Sequence, residues 1–356
     1  MNQLFKLFTQ LAQIDSPSGK EAQVCEFIVK FLQDLNLNPE TDSNGIIYCR
    51  IGNQPNPILF CAHMDTVEPG RGVKVVEDQE WIKSDNTTIL GGDNKVSLAT
   101  ILYSLRKLIE DNKELNIELL FTVREETDSG IQQFNVSKLE SKVGFIFDGG
   151  LGEIGWLAQS APTIEDFEIQ IRGKSAHASA PQNGVNALQV LLNTSNNLKL
   201  GKPDEYSTLN IGLISGGFST NTVPEILELK GDLRSTNSES FKRIKREFEE
   251  TINNSAKKLN ATVEFKWIPY SIGYNMNLES QNFIQLKKIY SEQKVEINPK
   301  AVTSGSDAAF LNSVGIETYC LGDAVYDTHK LSERIKKSDF KKLAELVESL
   351  MIKYKY

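Results

Sequence analysis

The sequence predicts an α/β protein: a mixed sheet with helices on both faces, interrupted by a smaller inserted domain. Three observations lead there. Apolar runs of strand length alternate with amphipathic helical stretches in the N-terminal part. A β-α-β-β-α-β succession, a two-layer motif that closes on itself, follows in the middle. Helix, strand and helix then return at the C-terminal end. The division is a main domain of residues 1–159 and 273–356 with residues 160–272 inserted. A chain of 356 residues can bury a large core without staples. With 40% hydrophobic and 24% charged residues it is neither disordered nor collagenous nor a membrane bundle.

The elements follow in order. Leu4, Leu7, Phe8 and Leu11 recur at helical spacing. The turn Asp15-Ser-Pro-Ser-Gly precedes a second helix carrying Val24, Phe27, Ile28, Phe31 and Leu32. Residues 45–50, 57–62, 117–123 and 143–147 read as strands. The later ones are continuously apolar, as strands covered on both faces are. Residues 96–110 place Leu98, Ile101, Leu102, Leu105, Leu108 and Ile109 on one helical face. In the insertion, residues 164–172, 209–215, 226–234 and 261–267 read as strands. Residues 186–198 and 238–259 read as helices. Afterwards come a helix at 280–293, a strand at 318–321 and a helix at 337–354.

Charge narrows the function classes. Lys+Arg number 39 against 47 Asp+Glu, a formal charge of −8 with no basic run, which excludes a phosphate-binding face for nucleic acid. No apolar stretch reaches the length of a membrane span. The N-terminus is too mixed for a signal peptide, and Cys25, Cys49, Cys61 and Cys320 form no CxxC pair. These features predict a cytoplasmic protein with free thiols.

Four polar segments carry the chemistry: Cys61-Ala-His63-Met-Asp65, Gly91-Gly-Asp93-Asn-Lys95, Thr122-Val-Arg-Glu125-Glu126 and Phe147-Asp148-Gly-Gly150. Three sit where an apolar strand ends, and the Asp93 segment just precedes a helix. In open α/β sheets, ligands bind beyond the carboxyl ends of the strands. Carboxylates gathered in one crevice repel unless a cation neutralises them. Imidazole together with carboxylates suits Zn, Mn, Co or Fe better than Ca. Two ions bridged by one carboxylate form a known hydrolytic device. His63-x-Asp65 also fits a ligand whose second ring nitrogen meets a carboxylate. Taken singly, His63-x-Asp65 is a weak signal, Glu125-Glu126 is more often a solvated strand end, and Asp148 before two glycines is more often a turn. The ordered set, each member at an element end, favours a metal site.

The order H-x-D, G-G-D, E-E, D-G-G-x-G-E and a late His resembles the M20 family of di-metal peptidases, and within it the peptidase T (tripeptide aminopeptidase) branch. Asp148-Gly-Gly-Leu-Gly-Glu153 is similar to that branch's pattern. The resemblance covers nearly the whole chain. It implies a di-zinc exopeptidase-like fold with a βαββαβ (ferredoxin-like) lid or dimerisation domain. It implies two divalent ions, zinc first, with cobalt or manganese as alternatives. Asp93 bridges them, His63 and Asp148 complete one, and Glu126 and His329 complete the other. Asp65 orients His63, and Glu125 is the general base. His177 is the oxyanion donor, reaching a partner subunit's site, although Ala178 follows it where the family carries Pro or Gly. Asn221 and Arg234 touch substrate, an Arg suiting a peptide carboxylate.

The resemblance therefore implies a homodimeric, cytoplasmic aminopeptidase that takes short peptides and binds neither nucleic acid nor membrane. Two other readings stand beside it: another M20-type amide hydrolase (an N-acyl-amino-acid deacylase or carboxypeptidase), and a metal-binding module without catalysis. Ser304-Gly-Ser-Asp307 resembles a family segment near the active site and is expected near substrate. Gly150-x-Gly152-x-x-Gly155 matches a dinucleotide fingerprint, but no helix pattern follows to offer its N-terminus. Gly173-Lys-Ser175 lacks the first glycine of a phosphate loop, since Glu168 stands there.

Overall fold

The computed structural model describes residues 2–149, 151–194 and 197–356. Gly150 of the glycine-rich motif, and Ser195 and Asn196 of the helix expected over 186–198, lie outside the described residues. Two compact units emerge. The first comprises Met1–Gln159, Asn275–Val302 and Ser306–Tyr356; the second comprises Ser160–Tyr274 and Thr303–Gly305.

The chain opens with α1 (Asn2–Ala12) and α2 (Ala22–Asp34), then β1 (Glu40–Thr41), β2 (Ile47–Ile51), β3 (Ile58–His63), β4 (Val75–Glu77) and β5 (Trp81–Ser84). Next come α3 (Gly92–Glu110), β6 (Ile117–Thr122), α4 (Glu125–Asp128), β7 (Val143–Phe147) and β8 (Trp156–Ala161). The second unit holds β9 (Thr163–Arg172), α5 (Ala187–Thr194), β10 (Ser207–Gly216), β11 (Ile226–Ser235), α6 (Ser238–Lys258) and β12 (Thr262–Ser271). The chain closes with β13 (Tyr274–Asn275), α7 (Gln281–Glu292), β14 (Asn298–Ala301), α8 (Asp307–Ser313), β15 (Glu317–Leu321), β16 (Val325–Tyr326), β17 (Arg334–Lys336) and α9 (Lys337–Lys353).

The main sheet runs β1-β2-β6-β3-β7-β15-β8-β13, with β14 beside β8. Strands β6, β3, β7 and β15 are mutually parallel, whereas β2 meets β6 and β8 meets β15 antiparallel. Every residue of β3, β6 and β7 is buried, which is why their sequences are mainly apolar rather than alternating, with Glu118 the one charged residue inside them. Parallel strands in register bring their carboxyl ends to one edge: His63 pairs with Thr122, and Cys61 with Ile146 one residue before the last of β7. The polar segments that follow these strands are thereby gathered. Leu98, Ile101, Leu102, Leu105 and Leu108 of α3, with Phe340, Leu343, Leu346, Val347 and Leu350 of α9, bury the apolar stripes read from the sequence.

Several elements differ from the sequence expectation. A small sheet, β16-β17-β5-β4, has strands of two to four residues, too short to show alternation. Glu125 and Glu126 begin a single helical turn, entered through Arg124 in the left-handed region at φ 55, rather than ending a strand.

The second unit is the β-α-β-β-α-β succession, with sheet order β10-β11-β9-β12. Phe167, Ile169 and Ile171 of β9, Leu229 and Leu233 of β11, and Phe241, Ile244, Phe248 and Ile252 of α6 make one core. Thr303–Gly305 joins this unit because Arg234 Nη1 donates to the Thr303 carbonyl at 3.3 Å. A Cβ on Gly305 would also lie 3.0 Å from that of Ser271. Three residues so far from the insertion in sequence gave no local signal of belonging to it.

Candidate active site

His63, the last residue of β3, is 3% exposed. Its Nε2 lies 3.0 Å from Asp93 Oδ1 and 3.8 Å from Asp148 Oδ1. On the other side of Asp93, Oδ2 lies 3.3 Å from Nε2 of His329, which in turn is 2.8 Å from Glu126 Oε1. One carboxylate thus turns each of its oxygens to a different imidazole. Two sets of donor atoms result, His63–Asp93–Asp148 and Asp93–Glu126–His329, each within 4.8 Å of one another, and they share Asp93. Glu125 forms a further set of that size with His63 and Glu126.

Local structure delivers each group. Gly91, at φ 70, turns the chain into α3, and Asp93 and Asn94 keep non-helical angles there, so Asp93 leaves the helical path. Asn94 Nδ2 donates to the Phe147 carbonyl at 2.7 Å and to Asp148 Oδ1 at 3.1 Å, which fixes the carboxylate beyond β7. His329 stands in a polar turn with φ 65. Asp65 is fully buried beside His63, with Oδ1 3.3 Å from Nδ1. Its carboxylate accepts from Ser18 Oγ at 2.6 Å, Glu125 N at 3.0 Å and Glu126 N at 3.2 Å. Glu21 Oε1 takes the Arg124 N–H at 3.0 Å.

The electrostatics of the cluster favour a neighbouring positive charge. Burial, reinforced by Asp148 and other neighbouring carboxylates, pushes the Glu125 carboxyl well up. Burial and the nearby Asp93 charge likewise raise Asp148 and Glu126. Burial also works to raise Asp93, but bonds to His329 and His63 hold it far below the usual carboxylate range. His329 is pushed up to about 10 by its bonds to Asp93 and Glu126. For His63, burial works downward, and the contacts with Asp148, Asp65 and Asp93 more than offset it. Two imidazole nitrogens and shared carboxylate oxygens fit two divalent ions such as Zn, Co or Mn.

The remaining sequence candidates lie in the second unit. The His177 backbone pairs with Thr222, Ala178 N donates to the Asn221 carbonyl at 2.8 Å, and Val223 N donates to the Ala176 carbonyl at 2.8 Å. This zip brings His177 and Asn221 together in two exposed loops. His177 Nδ1 is 2.7 Å from Ser179 Oγ, and the Asn221 carboxamide oxygen accepts from Ser219 Oγ at 2.7 Å. Arg234 Nε donates to Asp232 Oδ2 at 2.6 Å.

Ser18, Glu21, Asn94 and Glu333 carry no local sequence signal of their roles, because the site partners they bond are remote in sequence. Asp307, expected near substrate, is 2% exposed and accepts from Thr122 Oγ1 at 2.5 Å. Gly152 and Gly155 of the dinucleotide-like run serve packing: a Cβ on Gly152 would meet the Tyr326 ring at 2.2 Å, one on Gly155 would meet the Glu296 carbonyl at 2.0 Å, and strand β8 follows instead of a helix.

Residues 163–260 match the peptidase dimerisation domain of the M20 family. The YqjE protein of Bacillus subtilis (strain 168) is 29% identical over 98% of this chain and 97% of its own. The crystal structure of aminopeptidase PepT from Bacillus cereus ATCC 10987 superposes with a TM-score of 0.89 at 29% identity, covering 98% of this chain and 97% of that one. That of a tripeptidase from Staphylococcus aureus subsp. aureus Mu50 superposes with a TM-score of 0.90 at 28% identity and the same coverage. With the sheet, the inserted unit and the paired donor sets in place, the chain carries a peptidase dimerisation domain of the M20 type and, over nearly its whole length, resembles peptidases of the peptidase T kind.

Proposed function

We propose that this chain hydrolyses short peptides with two divalent ions, as an aminopeptidase releasing N-terminal residues from tripeptides or similar substrates. The observation that carries the reading is Asp93, whose two oxygens face His63 at 3.0 Å and His329 at 3.3 Å. In this reading Asp93 would serve both ions, His63 and Asp148 would hold one, and Glu126 and His329 would hold the other. Zinc suits the nitrogen and oxygen donors first, with cobalt and manganese as substitutes. When bound, such ions supply Lewis acidity toward a scissile carbonyl and lower the pKa of water.

The chain's own residues divide the remaining work. Glu125 takes the proton from the attacking water and returns it to the leaving amine. Burial raises its pKa, which favours a carboxylate that accepts and then returns a proton. Asp65 orients the His63 ring and tethers the turn that carries Glu125. His177 donates to the oxyanion, and loss of such a donor typically costs about 10²–10³ in rate. Asn221 contacts the peptide, and Arg234, now held by Asp232, binds a peptide carboxylate.

We further read the protein as a homodimer joined through the second unit. Strand β10 ends that unit's sheet and exposes Leu213 and Ile214, and Phe218 beyond it is 98% exposed. Cys25, Cys49, Cys61 and Cys320 are all free thiols, in keeping with the reducing cytoplasm. Among the described residues no helix is long and apolar enough to cross a membrane.

The test is a panel of di-, tri- and tetrapeptides, each with a free and an acylated amino terminus, assayed with Zn, Co and Mn. The aminopeptidase reading expects release of the first residue from free tripeptides and little turnover of acylated ones. Preferential cleavage of N-acyl substrates assigns a deacylase, and release of the last residue a carboxypeptidase; either overturns the reading.

A further inference from the structure

Glu333 is 1% exposed, and its partners lie more than two hundred residues away in sequence. Its Oε2 accepts the backbone N–H of Gly91 at 2.7 Å, and its Oε1 that of Asp93 at 3.3 Å. Both donors need an outside acceptor. Gly91 precedes the helix in a left-handed conformation, and Asp93 and Asn94 depart from helical angles, so no helical ladder serves this stretch. A buried backbone N–H without a partner is costly, and a carboxylate is a favourable acceptor at a helix start. The approach is close. A Cβ on Gly92 would lie 3.0 Å from a Val325 methyl and 3.4 Å from Glu333 Oε1.

Glu333 also belongs to the turn that delivers His329. Lys330 N donates to the Asp327 carbonyl at 3.1 Å, and Glu333 N to the Lys330 carbonyl at 2.9 Å. One short turn therefore reaches Asp93 twice, through His329 at its carboxylate and through Glu333 at its backbone.

We propose that Glu333 is a positioning residue that fixes the Asp93 backbone, so that one carboxylate oxygen faces each of the two histidines. The inference rests on the two-ion reading above. Glu333 touches no ion in this account; it acts through Asp93. Glu333→Gln keeps the shape but turns an N–H₂ toward one of two N–H donors. Glu333→Asp keeps the charge but withdraws the carboxylate.

The experiment titrates metal-stripped full-length wild type, E333Q, E333D and E118Q with Zn²⁺ in a calorimeter and records the visible spectrum with Co²⁺. Glu118 is a control: a fully buried carboxylate that accepts from Tyr48 and from residues 140 and 141 rather than from the site. Wild type is expected to take two ions. E333Q and E333D should bind about 10–100-fold more weakly, with an altered Co²⁺ spectrum. E118Q should melt lower yet bind both ions as wild type does. Should E333Q not fold, E333D carries the comparison. Wild-type affinity for both ions in a folded Glu333 variant overturns the inference alone. Uptake of fewer than two ions by wild type overturns the two-ion reading, and this inference with it.

Discussion

Asp65 Oδ1 accepts the backbone N–H of Glu125 at 3.0 Å, so the carboxylate beside a proposed metal ligand also holds the turn bearing the proposed base. Asp65→Asn leaves the shape intact but replaces one acceptor oxygen with a donor that faces N–H groups. We expect kcat to fall about 10–100-fold while KM moves little, because the ring and the base shift and the peptide contacts do not. Steady-state kinetics at saturating metal, with metal content measured on the same sample, check this. An unchanged kcat removes Asp65 from the site.

Asp307 gives a pH signature of folding in the metal-free chain. Burial pushes its carboxyl from the ordinary 3.8 up to about 7, while Thr122 donates to one oxygen. Between those values the folded chain holds a proton that the unfolded chain has released. The unfolded state binds fewer protons there, so stability falls as pH rises through the window, by up to about 1.4 kcal/mol per pH unit for this one group. Asp307→Asn has no proton to lose. Melts of metal-free wild type and D307N from pH 5 to 8 should therefore diverge, wild type losing ground to the variant as pH rises. Parallel curves contradict the assignment.

Much of the fold was legible because burial on both faces leaves a clear mark: β3, β6 and β7 are apolar apart from Glu118 and from His63 and Thr122 at the strand ends. The inserted unit was legible from the order of its elements. His63, Asp93, Glu125, Glu126 and Asp148 stood out because each is polar at the edge of an apolar element. What stayed hidden depends on distance. Ser18 meets Asp65 across 47 residues, and Glu333 meets Gly91 across 242, so no local pattern records either contact. The helical turn at Glu125 hinges on a non-glycine residue, Arg124, in the left-handed region, which its side chain does not advertise. The strands β16 and β17 make sense only once paired with β5.

The exposed edge of β10 predicts the assembly state. Leu213→Lys with Ile214→Lys places two charges on a surface proposed to meet a second copy. Sedimentation should show a dimer for wild type and a monomer for the double variant. If His177 serves the partner's site, inactive H177A and E125Q subunits mixed as confirmed heterodimers should recover activity. A wild-type monomer contradicts the dimer, and silent heterodimers contradict action across it.

The most direct measurement is a metal titration of tripeptide hydrolysis, run side by side on wild type and Glu125→Gln. Wild-type activity should saturate as two divalent ions bind per chain. E125Q should take up the same two ions and lose about 10²–10⁴-fold in kcat, the usual contribution of a positioned base. Substantial hydrolysis by metal-loaded E125Q, or wild-type activity that survives complete metal removal, contradicts the account.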